Sequence, residues 1–182
     1  ELALTFKGAI KQPWRFQFPS ISSTLEKNGF DAMPIIGLLT FLIGVVLAYQ
    51  FGQQLEAYGA NVYIVDVSGL AILREFSPLI TSIILAGRTS SSFTAQLGMM
   101  KVNEEIDALK TMGLSPPERL VMPRIIGMVI AMPLLTVWSD IFGILGSMLM
   151  AKNMLDIGYL DFLNRFGEVI ALRHYLVGIG KA

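Results

Sequence analysis

Polar and apolar positions along the chain fall into blocks much longer than one turn of an amphipathic element. Between Asp31 and Glu56 stand 24 residues without a charge, and at about 1.5 Å per residue such a helix covers the roughly 30 Å of a hydrocarbon layer. This predicts a first membrane span over 32–55. A second block, 62–87, is equally apolar overall but carries Asp66, Arg74 and Glu75 in its outer half. A third covers 123–151; beyond Arg124 it is interrupted only by Pro133 and Asp140, and Pro133 is expected to kink it by removing one backbone donor. The stretch 175–182 reads as the start of a further span. The pattern therefore predicts a single all-α domain, a polytopic transmembrane helical bundle.

Shorter amphipathic segments lie between these blocks. Within 1–30, Lys7, Lys11 and Arg15 recur every four residues, with Leu2, Phe6, Ala9 and Ile10 on the other side of the wheel. That suits a helix lying in the membrane interface with its basic face toward anionic headgroups. Over 101–113, Val102, Ile106, Leu109 and Met112 share one face. Asn103 is placed to cap this helix, the acidic Glu104, Glu105 and Asp107 complement its dipole, and Gly113 can close it before Pro116-Pro117. Two readings fit: a helix resting on the membrane surface, or a coupling helix that seats in a cytoplasmic motor and passes its movement to the flanking spans.

Composition sharpens this picture. Of 182 residues 53% are hydrophobic and 15% charged, where a soluble domain carries nearer a quarter charged. Fourteen basic and fourteen acidic residues cancel, so nothing points to nucleic acid. The distribution of Lys and Arg does matter. They concentrate before the first span and in the 88–124 loop, are absent from 53–61, and are sparse over 152–174. The positive-inside rule then puts the N-terminus and the 88–124 loop in the cytoplasm and 152–174 in the periplasm. The chain starts without a methionine and stops as an apolar run begins, as a fragment would, and no cleavable signal peptide is visible. With no cysteine and one histidine, His174, neither a metal cluster nor a thiol nucleophile is expected. No catalytic residue is assigned. No G-x-x-x-x-G-K-[ST] run occurs, so the chain holds no P-loop cofactor and any ATP must be bound by a partner.

Charges inside spans are expensive, about 2.5–3.5 kcal/mol each on insertion scales, and should face protein, water or a polar ligand. Arg74 and Glu75 are adjacent, so they point about 100° apart on a helix and cannot simply neutralise each other. They are candidates to line a cavity for a zwitterionic or anionic lipid headgroup, with Arg74 toward phosphate; a purely structural ion pair with Asp66 or Asp140 is the competing reading. Gln50 and Tyr58, near the outer end of the first span, are further cavity candidates. The spacing of Ser139, Gly143 and Ser147 lets helix backbones approach. An alternative function is ion-coupled secondary transport through a relay of Asp66, Glu75 and Asp140.

The runs LREFSP (73–78), LAGR (85–88), QLGMMKVNEEIDAL (96–109), LVMPR (120–124) and MPLL (132–135) resemble the MlaE (YrbE) permeases of lipid-transporting ABC systems associated with MCE proteins. The resemblance extends from about Gly29 to the last residue. It implies a homodimer of permeases in a bacterial inner membrane, moving phospholipid to or from a periplasmic MCE-domain carrier. It also implies a cytoplasmic ABC ATPase and, in many systems, a small STAS-domain protein. On this resemblance Glu104, Glu105, Ile106, Asp107, Ala108 and Leu109 form the element that contacts the ATPase, and Arg74 and Glu75 match the family's charged pair near the lipid cavity. Two departures stand out: Thr89-Ser90 where the family has a small residue and glycine, and Gln96 where it has glutamate. Asp140 is not expected from the family pattern.

Overall fold

The computed structural model describes residues 29–113, 115–169 and 172–181. The interfacial helix expected within 1–30 lies almost wholly outside the described residues. The described residues are almost entirely helical, with short turns between the helices and no strand among them. Three helical stretches are long and apolar enough to cross a membrane: Phe30–Ala57, Asn61–Val102 and Met122–Leu155.

We label the helices α1 (Met33–Ala57), α2 (Ile64–Ala71), α3 (Ser77–Val102), α4 (Glu105–Thr111), α5 (Met122–Leu155), α6 (Tyr159–Val169) and α7 (Leu172–Lys181). Two π turns, Ile72–Phe76 and Pro117–Val121, join α2 to α3 and lead into α5. α5 continues through Pro133 without ending. The chain divides into two compact units, one built from 32–86 and 132–182, the other from 87–131 and the residues before Ala32.

In the first unit, α1 buries a narrow stripe of mostly small residues, Ile36, Thr40, Gly44, Ala48 and Gly52, spaced by four. The stripe has to be small because α5 packs backbone to backbone against it. A Cβ added to Gly44 would stand 2.1 Å from the Gly143 carbonyl oxygen, and one on Gly146 2.1 Å from that of Phe41. Gly37 meets Trp138 and Gly52 meets Met154, so α1 and α5 run parallel, as two crossings separated by one return must. The small-residue spacing in the third span is therefore used within one chain. Trp138 fastens one end by donating its indole N–H to the Met33 carbonyl at 3.1 Å.

At the other end, α1 closes at Gly59, whose φ of +65° suits a residue without a side chain. There Phe162 of α6 is buried among Ala48, Ile64, Val65 and Ala151, with Leu55, Met148 and Phe166 packed around them. Burying a phenylalanine side chain contributes about 1.5–3 kcal/mol. The amphipathic α6 is thus pinned across the ends of α1, α2 and α5 by an aromatic anchor within the segment 152–174.

In the second unit, α3 continues to Val102, well past the end of the span expected at residue 87. The short helix starts later than the sequence suggested. Asn103 does not cap it: Glu104 takes the left-handed conformation with φ 59° and α4 begins at Glu105, while the Asn103 amide reaches the Glu105 carboxylate at 3.3 Å. The expected helix over 101–113 is thus the end of α3, a left-handed turn and two turns of α4, closed by Gly113 at φ +72°. The reason is local: Lys101 and Val102 complete α3's last turn, and the chain must reverse before a new helix can start.

Candidate functional site

The second crossing changes its geometry where its charges lie. Over Ile72–Phe76 the helix widens into a π turn, a feature that breaks the regular ladder and often marks functional positions. Lys181 of α7 occupies the loosened edge, donating to the Arg74 carbonyl at 3.3 Å and to Glu75 Oε1. α7 can come this near because Gly178 has no side chain: a Cβ there would stand 2.2 Å from the Leu73 carbonyl oxygen. On the other side of the turn, Ile72 is wedged against Gly143.

The two adjacent charges consequently have different fates. Glu75 is paired with Lys181, whereas among the described residues no carboxylate pairs with Arg74. Arg74 is half-buried, and its Nε is buried without a hydrogen-bond partner. A guanidinium with uncommitted donors beside an already neutralised carboxylate is chemically suited to a phosphate or carboxylate guest.

The structural pairings weighed from sequence are not the ones formed. Asp66 is held by Arg165 of α6 through two hydrogen bonds, Nε to Oδ1 at 3.1 Å and Nη2 to Oδ2 at 2.8 Å, with the guanidinium 5.7 Å from the Tyr63 ring centroid. Asp140 is buried at 2% exposure with Oδ1 unpartnered. The proposed relay of Asp66, Glu75 and Asp140 is not assembled, since the first two are each tied to a cation from the C-terminal helices. Sequence reasoning missed both cations. Lys181 and Arg165 lie 106 and 99 residues from their partners, and nothing local announces such pairs.

Gln50 and Tyr58 are exposed, Gln50 on α1 and Tyr58 at its C-terminal cap. No hydrogen bond connects either to Arg74 or Glu75 among the described residues.

The second candidate element is α4. Asp107 accepts from Lys110 Nζ at 2.9 Å and from Lys101 Nζ at 3.0 Å, tying α4 to the end of α3. These hydrogen bonds, Lys110 first, hold the Asp107 carboxyl below its ordinary pKa. Ile106, Ala108 and Leu109 stand on a helix none of whose residues is buried. In the same unit Arg124 stacks over Phe93, 4.5 Å from the ring centroid, and donates to Gln96; Gln96 thus has a local role although it replaces the expected glutamate. Arg88 donates to the Asp31 carbonyl at 2.9 Å and to its carboxylate at 3.2 Å.

Comparison with known proteins gives the decisive observation: the family model for the permease MlaE matches residues 21–182. The chain belongs to the MlaE permease family. Among MlaE-family and related proteins, it is 33% identical over 154 residues to a probable ABC transporter permease protein of Rickettsia typhi, covering 85% of this chain and 60% of that protein. It is 33% identical over 151 residues to the intermembrane phospholipid transport system permease protein MlaE of Haemophilus influenzae, covering 82% and 58%. The Arabidopsis thaliana chloroplastic protein TRIGALACTOSYLDIACYLGLYCEROL 1 is 37% identical over 133 residues, 73% of this chain and 38% of that protein. The chain thus spans about 60% of the length of the bacterial relatives it matches.

Proposed function

We propose that this chain is part of the membrane-spanning permease of an ABC transporter that moves phospholipid, energised by a separate ATPase that docks on α4. The observation that carries the reading is the unpaired, half-buried Arg74 beside the Lys181-neutralised Glu75, in a chain of the MlaE permease family. A lipid phosphate supplies the anion that Arg74 lacks. The phospholipid transport named for the Haemophilus relative supports the same cargo.

In this reading two permease copies face each other, with Arg74, Glu75, Gln50 and Tyr58 toward a shared lipid cavity. The 88–124 loop lies in the cytoplasm of a bacterial inner membrane, and α6 lies on the periplasmic side, where an MCE-domain carrier exchanges lipid; a STAS-domain protein completes the assembly. α4 suits coupling because its two turns are tied to α3 through Lys101 and Asp107 and end at Gly113. ATP and its metal belong to the partner, and this chain contributes movement and a lipid path.

The test is purification of the full-length permease from native membranes, with mass spectrometry of the proteins and lipids that accompany it. An ATPase and phospholipid are expected. Arg74→Leu should lower phospholipid co-purification roughly tenfold, the loss expected for one charge-assisted hydrogen bond, while leaving the ATPase attached. Unchanged lipid content in a stable Arg74→Leu protein would overturn the assignment.

A further inference from the structure

Buried and part-buried hydroxyls in the unit built from 32–86 and 132–182 divide into two groups. Thr40, Ser68, Ser82 and Thr136 each donate to the carbonyl four residues back, at 2.8, 2.5, 2.5 and 2.9 Å, and Ser147 donates to Ile144 at 3.0 Å. This is how a hydroxyl is ordinarily satisfied inside a span. Ser77, Thr81 and Ser139 depart from it: all three are buried, at 0% exposure, and none of their hydroxyls has a hydrogen-bond partner.

One of the exceptions, Ser77, lies beside an acid. Asp140 is buried at 2%, and its Oδ1 is likewise without a partner. The Ser77 hydroxyl lies beside its carboxyl without forming a hydrogen bond of good geometry. Ser139, its chain neighbour, points about 100° away on the helix, whereas Thr81 stands one turn beyond Ser77 on the same face of α3. Because α3 and α5 cross in opposite directions, Ser77 and Thr81 run alongside Asp140 and Thr136. A buried polar atom without a partner calls for a guest, and here the Asp140 carboxyl and the hydroxyls of Ser77 and Thr81 on the crossing beside it are all without one.

Among the described residues no charged side chain supplies that guest. The first crossing is uncharged from Ala32 to Leu55. On the second, Asp66 is bound to Arg165 and Glu75 to Lys181, and no ion pair joins Arg74 to Asp140. Asp140 is the only charge on the third crossing between Arg124 and Lys152. On α7, Lys181 is committed and His174 makes no ion pair among the described residues.

We infer that Asp140, with Ser77 and Thr81 of α3, forms a site inside the bilayer for one hard monovalent cation, a sodium ion or a proton. A single carboxylate is neutralised by a single positive charge. Donors that are all oxygen select hard cations over the softer transition metals. The occupied site holds α3 to α5; the empty one leaves an unpaired carboxylate in hydrocarbon, which is costly. The site does not use the Arg74–Glu75–Lys181 arrangement and stands or falls independently of the lipid reading.

The test uses the full-length permease in lipid nanodiscs, following its thermal unfolding midpoint in two series. One exchanges choline chloride for sodium chloride at constant ionic strength and pH; the other varies pH at fixed sodium. A rise of about 2–4 °C with sodium identifies sodium as the guest, and a similar rise on acidification alone identifies the proton. The isosteric, uncharged Asp140→Asn should respond to neither. Thr81→Ala, which keeps the charge and removes one oxygen, should move the response to higher sodium or lower pH, and it serves where Asp140→Asn does not fold. Flat midpoints of the wild type in both series, or a response that survives in Asp140→Asn, would overturn the inference.

Discussion

The charges on α4 and those on the second crossing obey different rules. Asp107 meets Lys110 three residues away and Lys101 six residues away, with all three side chains about half exposed. Asp66 and Glu75 instead draw their cations from α6 and α7, about 100 residues along the chain. Water screens the first set, so its pairs add little to stability and serve mainly to hold a shape. Hydrocarbon screens nothing, so in the second set each charge needs a partner or marks a function. The departures from pairing, at Arg74 and Asp140, are where function is to be sought.

Several experiments would break or sharpen that contrast. The largest effect is expected from filling the contact on which the membrane-spanning unit depends. Gly146→Val puts atoms 2.1 Å from the Phe41 carbonyl, and overpacking of this kind costs about 3 kcal/mol; folded protein recovered from membranes should fall sharply, which gel filtration after extraction would detect. Unchanged yield would mean that α1 and α5 do not touch there.

Next in size is the α6 clamp. Asp66→Asn and Arg165→Met should each lower the unfolding midpoint by several degrees, and the exchange Asp66→Arg with Arg165→Asp should recover part of the loss. Failure of the exchange to rescue, with both single variants destabilised, would show that the two residues act separately. Gly178→Ala should then have an intermediate effect: it pushes α7 off the Leu73 carbonyl and draws Lys181 from Glu75, so phospholipid co-purification should change while the ATPase stays attached.

The smallest effect on stability is expected at α4, where the proposed docking of the ATPase would place the effect on function instead. Asp107→Asn should leave the unfolding midpoint within a degree or so, while charge reversal at Glu105 and Asp107 together should detach the ATPase. The pH dependence follows from the sign of the Asp107 shift. Its folded pKa lies below the ordinary 3.8, so the contribution of its pairs is complete above that value and is lost only as pH falls through the lower, folded one. ATPase attachment should therefore be constant between about pH 5.5 and 8 as far as this loop decides it. A transition within that window, removed by Asp107→Asn, would contradict the pairing.

Much of this was legible in the residues themselves. Uninterrupted apolar blocks of spanning length leave a chain no option but helices across a bilayer, because backbone groups in hydrocarbon must be satisfied within the segment. The three crossings therefore came from spacing alone, as did an amphipathic helix near 101–113, while the cost of charge inside a span singled out Arg74, Glu75 and Asp140 as residues that need a partner or a polar surrounding. What pattern could not supply were the partners. Lys181 and Arg165 reach their carboxylates only because Gly178 and Phe162 let α7 and α6 dock, and docking joins residues that share no local period. The π turn at Ile72–Phe76, the left-handed Glu104 that delays α4, and the intrachain use of Gly44, Gly143 and Gly146 were likewise decided by packing. Hydrophobic periodicity determines which segments leave water; which charge then meets which is a property of three-dimensional contact, and it separates the neutralised Glu75 from its unpaired neighbour Arg74.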